Sequence, residues 1–152
     1  MTNSLGRIAH MGTAQLISYL DLAPHPEGGW FRETWMVAAQ TGHRPAATGI
    51  YYLLAGNDRS RWHRIDCSEI WMFHAGAPLE ISISPTEAGP ARDVLLGSEL
   101  GTPQLPQVEV EPFHWQSART TGDWTLCSCI CAPGFLYETL EIAEPGFDIP
   151  RA

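Results

Sequence analysis

Leu79, Ile81 and Ile83 alternate with Glu80, Ser82 and Ser84, the period-two pattern of a strand with one buried face. Val108 and Val110 alternate with Glu109 and Glu111 in the same way, and Trp124–Cys131 reads as a long strand. Further short strands are predicted over Trp30–Val37, Ile50–Leu54, Trp62–Ile65, Glu69–His74, Val94–Leu96, His114–Ala118 and Phe135–Ile142. Turn-forming residues separate them, as in Gly56-Asn57-Asp58, Thr121-Gly122-Asp123 and Ala132-Pro133-Gly134. Only Ala14–Leu20 has helical spacing, with Leu16, Ile17 and Leu20 on one face, Thr13 as a cap and Pro24 as the stop. Roughly nine or ten short strands behind one short helix predict an all-β sandwich or closed barrel. Small closed barrels bind ligands in their mouths.

Composition narrows the function classes. The 152 residues make one domain, expected over residues 13–143, with a flexible N-terminus at 1–12 and a C-terminal tail at 144–152. The charged share is 17% against 44% hydrophobic, so much surface should be buried, including a subunit interface, and a homodimer is expected. The formal net charge of -8 argues against nucleic acid and anionic membrane as partners. No apolar run is long enough to span a membrane, and residues 1–12 lack a signal-peptide core. A cytoplasmic protein with a small-molecule ligand is expected. The chain contains no lysine, which removes Schiff-base chemistry and the P-loop.

Candidate chemistry concentrates between Ser60 and Gly76. With Asp66-Cys67-Ser68 as a hairpin turn, His63 would face Trp71 and Ile65 would face Glu69, so all four side chains would share a face. A carboxyl and an imidazole would then sit together in an apolar cavity. Such a pair is either an acid/base unit or a satisfied structural pair. Upstream, the Pro/Gly-rich string from Pro24 to Glu33 carries His25, Glu27 and Arg32. These either rim the pocket, with Arg32 as an anion clamp, or belong to a loop that plugs the barrel end. Trp62, Trp71, Phe73 and Trp115 supply either core or a stacking platform, and Gln116 can orient a ligand through its amide. Cys127, Cys129 and Cys131 share a strand face and read as buried thiols acting as small hydrophobes. His74 should face away from Glu69.

Several of these strings, taken in order, resemble a known family. They are Pro24-His-Pro-Glu-Gly-Gly-Trp-Phe-Arg-Glu33, Glu69-Ile-Trp-Met-Phe-His-Ala-Gly76, Pro106-Gln107, Trp115-Gln116 and Ala132-Pro-Gly-Phe135. Together they resemble a small single-domain cupin family with a Pro-His-Pro-Glu-Gly-Gly signature and no generally assigned function, over about residues 14–143. The resemblance implies a double-stranded β-helix, the jelly-roll barrel, commonly dimeric. His63, Glu69 and Gly76 match the first cupin motif. Ile65 stands where that motif has a second histidine, and Gln116 where a third would fall. No cofactor is therefore expected; a divalent metal, if bound, would fall to His63, Glu69 and Gln116. Three functions stay open: a cofactor-free isomerase or epimerase using His63 and Glu69, a non-catalytic binding protein, or a metal-dependent oxygenase or lyase.

Overall fold

The computed structural model describes residues 11–152. The flexible stretch expected at 1–12 lies outside the described residues up to residue 10, and Gly12, not Thr13, is the N-cap of the helix α1 (Thr13–Leu20). Its Leu16 packs with Leu22 and Leu53 on the outer surface of the first sheet. Asp21, in the left-handed region at φ 53°, ends it.

Among the described residues, twelve strands form two six-stranded sheets. The first contains β1 (Ala23–Pro24), β2 (Trp30–Met36), β3 (Thr48–Ala55), β11 (Trp124–Ala132), β5 (Ser68–Gly76) and β9 (Gln107–Val110), side by side in that order. The second contains β12 (Glu141–Ile142), β4 (Arg59–Arg64), β10 (Trp115–Thr120), β6 (Leu79–Ser84), β7 (Arg92–Leu96) and β8 (Gln104–Leu105). Alternating positions give each sheet an inner face. Tyr52, Trp71, Val108, Val110, Cys127 and Cys129 of the first pack against Leu79, Ile81, Ile83, Leu96 and Ala118 of the second. This is the all-β jelly-roll barrel expected from the sequence, with one α-helix among the described residues, at its front.

Two expectations are corrected. The stretches 62–65 and 69–74 are not a hairpin. β4 pairs with β10 and β12, and β5 with β11 and β9. Residues 65–67 turn the corner from one sheet to the other, which a turn signal alone does not distinguish from a hairpin. The strand expected over Phe135–Ile142 is reduced to a 3-10 turn at Tyr137–Thr139 and the two residues of β12. Its apolar residues Phe135 and Leu140 pack on Ile65, Cys67 and Cys131 near one barrel end.

The C-terminal tail is packed onto the fold. Ile149 is fully buried with Trp62, Trp115 and Ala91. Trp62 Nε1 donates to Asp148 Oδ1 at 2.9 Å, and Arg151 reaches Asp93 and Asp148, both at 3.1 Å. Residues 143–151 thus form a strap over the outer face of the second sheet. Among the described residues no helix is long and apolar enough to cross a membrane.

Candidate functional site

The Pro/Gly-rich string before β2 brings Glu27 into the barrel. Gly28 has φ 114° and Gly29 φ 74°, a region side chains rarely adopt. A Cβ on Gly28 would overlap the Arg59 carbonyl oxygen, so only glycine lets this loop lie against β4. The contact is then fixed by Arg61 N–H donating to Glu27 O at 2.8 Å and by the Tyr52 hydroxyl donating to Gly28 O. Glu27 is left 5% exposed, facing the end of β4.

His63, from β4, is the partner of Glu27: Nε2 lies 3.1 Å from Glu27 Oε2. The sequence had paired His63 with Glu69 instead. Hydrogen bonding settles where the protons sit. His63 Nδ1 is 2.6 Å from the Arg61 carbonyl oxygen, which can only accept, so Nδ1 carries a hydrogen. One proton then lies between Nε2 and Glu27. Burial pushes the Glu27 carboxyl up to about 8, against the opposing effect of the Ser60 and Tyr52 hydroxyls. Burial also lowers His63, outweighing the Glu69 charge and the Arg61 carbonyl. Both shifts favour the uncharged pair: Glu27 Oε2–H donates to Nε2, and Oε1 accepts from Ser60 Oγ at 3.1 Å. His25 is neutral too. Its Nδ1 accepts the Glu27 backbone N–H at 3.1 Å, so the 3.9 Å approach to Glu27 Oε1 is no ion pair. Burial first, and His63 second, bring His25 down to about 4.

Glu69 enters from the other sheet. Its Oε2 accepts from Cys131 Sγ at 3.3 Å, while Oε1 is buried without a partner. Burial raises its pKa, and the Glu27 charge adds to that; His63, Cys131 and Gln116 oppose. Gln116 lies opposite His63 on β10. Trp71 Nε1 donates to Gln116 Oε1 at 2.8 Å. An indole N–H only donates, so the amide oxygen must face Trp71, and the amide nitrogen is directed elsewhere. That nitrogen is also buried and unpartnered. It lies near enough to Glu69 to favour the ionised carboxyl but outside hydrogen-bond geometry.

These groups surround a small cavity of about 50 Å³. His25, Glu27, His63 and Glu69 line it. Trp71, Gln116 and Phe73, expected in the pocket, are not among its lining residues: Trp71 is bonded to Gln116, and Phe73 is partly buried against the main core. Arg32 and Trp115, also expected in the pocket, are outside its lining as well. Arg32 is exposed on the outer face of β2, with its guanidinium 5.5 Å from the Tyr51 ring centroid. Trp115, like Trp62, is on the outer face of the second sheet beneath the C-terminal strap. His74 is also exposed, beside Ser128.

Sequence reasoning missed Phe31, Glu33, Phe135, Tyr137, Cys129 and Cys131 in the lining. Strand parity could have found the first two, because Arg32 and Glu33 must face opposite sides of β2. The cysteines do share one inner face, but Cys131 also touches Glu69.

The metal-ligand set suggested by the resemblance does not assemble. Both His63 nitrogens and Gln116 Oε1 are engaged as described, and Ile65 offers no lone pair. Among the described residues no group of three or more His, Cys, Asp or Glu is placed to hold a metal ion.

Comparison with known proteins agrees with this architecture. The family model described as Cupin superfamily (DUF985) matches residues 14–143. A hypothetical protein from Leishmania major is 29% identical, with TM-score 0.79 and 90% of each chain covered. A Shewanella oneidensis protein is 30% identical, with TM-score 0.82, over 88% of this chain and 85% of that one. Oxalate decarboxylase from Bacillus subtilis is 13% identical, with TM-score 0.61, over 82% of this chain and 30% of that one. At that identity the likeness is one of fold. No curated protein matches the chain.

Proposed function

The chain belongs to the DUF985 family of the cupin superfamily, and on that footing we propose that its barrel cavity binds a small metabolite and moves a proton on it. The observation that carries this reading is the convergence of Glu27, His63 and Glu69 on one cavity from a loop and from both sheets. Glu27 and His63 hold a proton between them, and Glu69 presents a second buried carboxyl with one oxygen unpartnered. Two carboxyls with raised pKa beside a neutral imidazole suit general acid and base chemistry near neutral pH. Proton transfer at a carbon beside a carbonyl, as in isomerisation or epimerisation, is the reaction class these groups serve by themselves. The expected acid/base pair of His63 and Glu69 thereby becomes a trio, in which Glu27 is the group hydrogen-bonded to the imidazole.

The second reading is a binding protein without turnover, favoured by the close hydrogen bonding of His63, which holds both ring nitrogens. A panel of small hydroxycarbonyl metabolites incubated in D2O separates the two. Catalysis predicts deuterium incorporation at a carbon-bound position, abolished by Glu69→Gln and by His63→Ala. A ligand that raises the thermal midpoint without exchange supports binding alone. Failure of every compound to do either would count against both readings.

A further inference from the structure

The charge of the cavity wall is one-sided. Glu27, Glu33 and Glu69 line it, and no arginine does; the chain has no lysine. Nearby arginines are committed elsewhere. Arg44 donates to both Asp66 carboxylate oxygens at 2.8 and 2.7 Å, Arg61 to the Ala143 carbonyl at 2.6 Å, and Arg64 to Glu141 at 2.7 Å. The two histidines in the wall do not supply positive charge, because His25 Nδ1 accepts a backbone N–H and His63 Nε2 faces Glu27.

Glu69 adds an independent observation. It is 8% exposed, lines the cavity, and its Oε1 has no hydrogen-bond partner. A carboxyl oxygen so placed calls for a donor from a ligand. The wall also carries three aromatic side chains, Phe31, Phe135 and Tyr137. Phe135 and Tyr137 meet edge to face at 4.9 Å, and Phe31 meets the His25 ring at 4.5 Å. Aromatic faces attract cations, most strongly where water is excluded.

We infer that the ligand of this cavity is a small organic cation, a primary amine or amino-bearing metabolite whose ammonium group is held by Glu69 and the aromatic wall. This names the substrate class for the cavity proposed above and rests on that reading. An ammonium group has three donors and no acceptor, the complement of an acidic wall. Glu69 accepts from the ammonium as the carboxylate, which is also the better acceptor for the adjacent Gln116 amide. A carboxylate ligand would instead place its charge in a desolvated space that offers no cation.

Three probes of one size test the charge directly: propylamine, 1-propanol and propionate, titrated into the full chain at pH 8 by ligand-observed NMR and by calorimetry. Propylamine is expected to bind roughly 10-fold more tightly than propanol, as a charge-assisted bond should, and propionate more weakly still. Glu69→Gln should abolish the preference. Glu33→Gln, at the exposed end of the wall, should weaken it roughly two- to threefold and serves if Glu69→Gln does not fold. Propanol or propionate binding as tightly as propylamine, or an undiminished preference in both variants, would overturn the inference while leaving the cavity a ligand site. Binding by none of the three would overturn both.

Discussion

Replacing Glu27 with glutamine should change how stability depends on pH more than it changes stability itself. Glutamine keeps the shape and the bonding pattern, because its amide N–H can donate to His63 Nε2 and its oxygen can accept from Ser60 Oγ. It cannot ionise. In the wild type, burial raises the Glu27 carboxyl from 4.5 to about 8. Between those values folded Glu27 holds a proton that unfolded Glu27 lacks, so its contribution to stability falls as pH rises, by about 1.4 kcal/mol per pH unit. The contribution is fully present below pH 4.5 and is lost as pH climbs through 8, an upper bound of about 5 kcal/mol across the window. His25 acts in the opposite sense. Its value is lowered from 6.5 to about 4, so its contribution is present above 6.5 and is lost as pH falls through 4. Subtracting the Glu27→Gln curve from the wild-type curve removes most of that background. Urea unfolding at pH 5, 6, 7 and 8 gives both curves. The difference between wild type and variant should decline steadily with pH. A flat difference, or one that rises with pH, would mean that Glu27 and His63 hold no proton between them in the folded state, and the shared proton would be refuted.

Other substitutions test the supports of the site. Trp71→Phe removes the donor to Gln116 Oε1 and leaves a buried acceptor unpaired, which should cost about 1–3 kcal/mol in urea unfolding. Ile149→Ala, in the strap beyond the family match, should cost about 2–5 kcal/mol, because the side chain is fully buried against two tryptophans; a cost near zero would show the strap to be dispensable. Arg32→Ala should leave ligand affinity unchanged, since Arg32 lies on the outer face over Tyr51. We further propose a homodimer, in keeping with the exposed apolar run Trp35-Met36-Val37; light scattering at micromolar concentration should give twice the 16.8 kDa chain mass, and a monomer would exclude it.

Strand positions were legible because period-two alternation reports directly which residues face a core. Leu79–Ser84 came out where the pattern placed it, and the strand expected over Trp124–Cys131 runs one residue further, to Ala132. Pairing was less legible. A turn at 66–68 fits a hairpin and a corner between sheets equally well, and only the neighbours of β4 and β5, distant in sequence, decide between them. The same limit applies at the site. His63 and Glu69 both face the cavity, but the group bonded to His63 comes from a glycine-rich loop near the start of the chain, and no local spacing announces that contact. Aromatic residues misled for another reason. Trp62 and Trp115 owe their burial to the C-terminal strap, which sequence alone had marked as a plain tail. Arg32 was assigned by its chemistry without regard to parity along β2.

The central claim is that an uncharged Glu27–His63 pair stands at one wall of the cavity, with a single proton between them. Ring 15N NMR of His63 at pH 7 reads this directly. The account predicts a protonated Nδ1 and an Nε2 that keeps its lone pair and accepts from Glu27. Two protonated ring nitrogens facing an ionised Glu27 would contradict it.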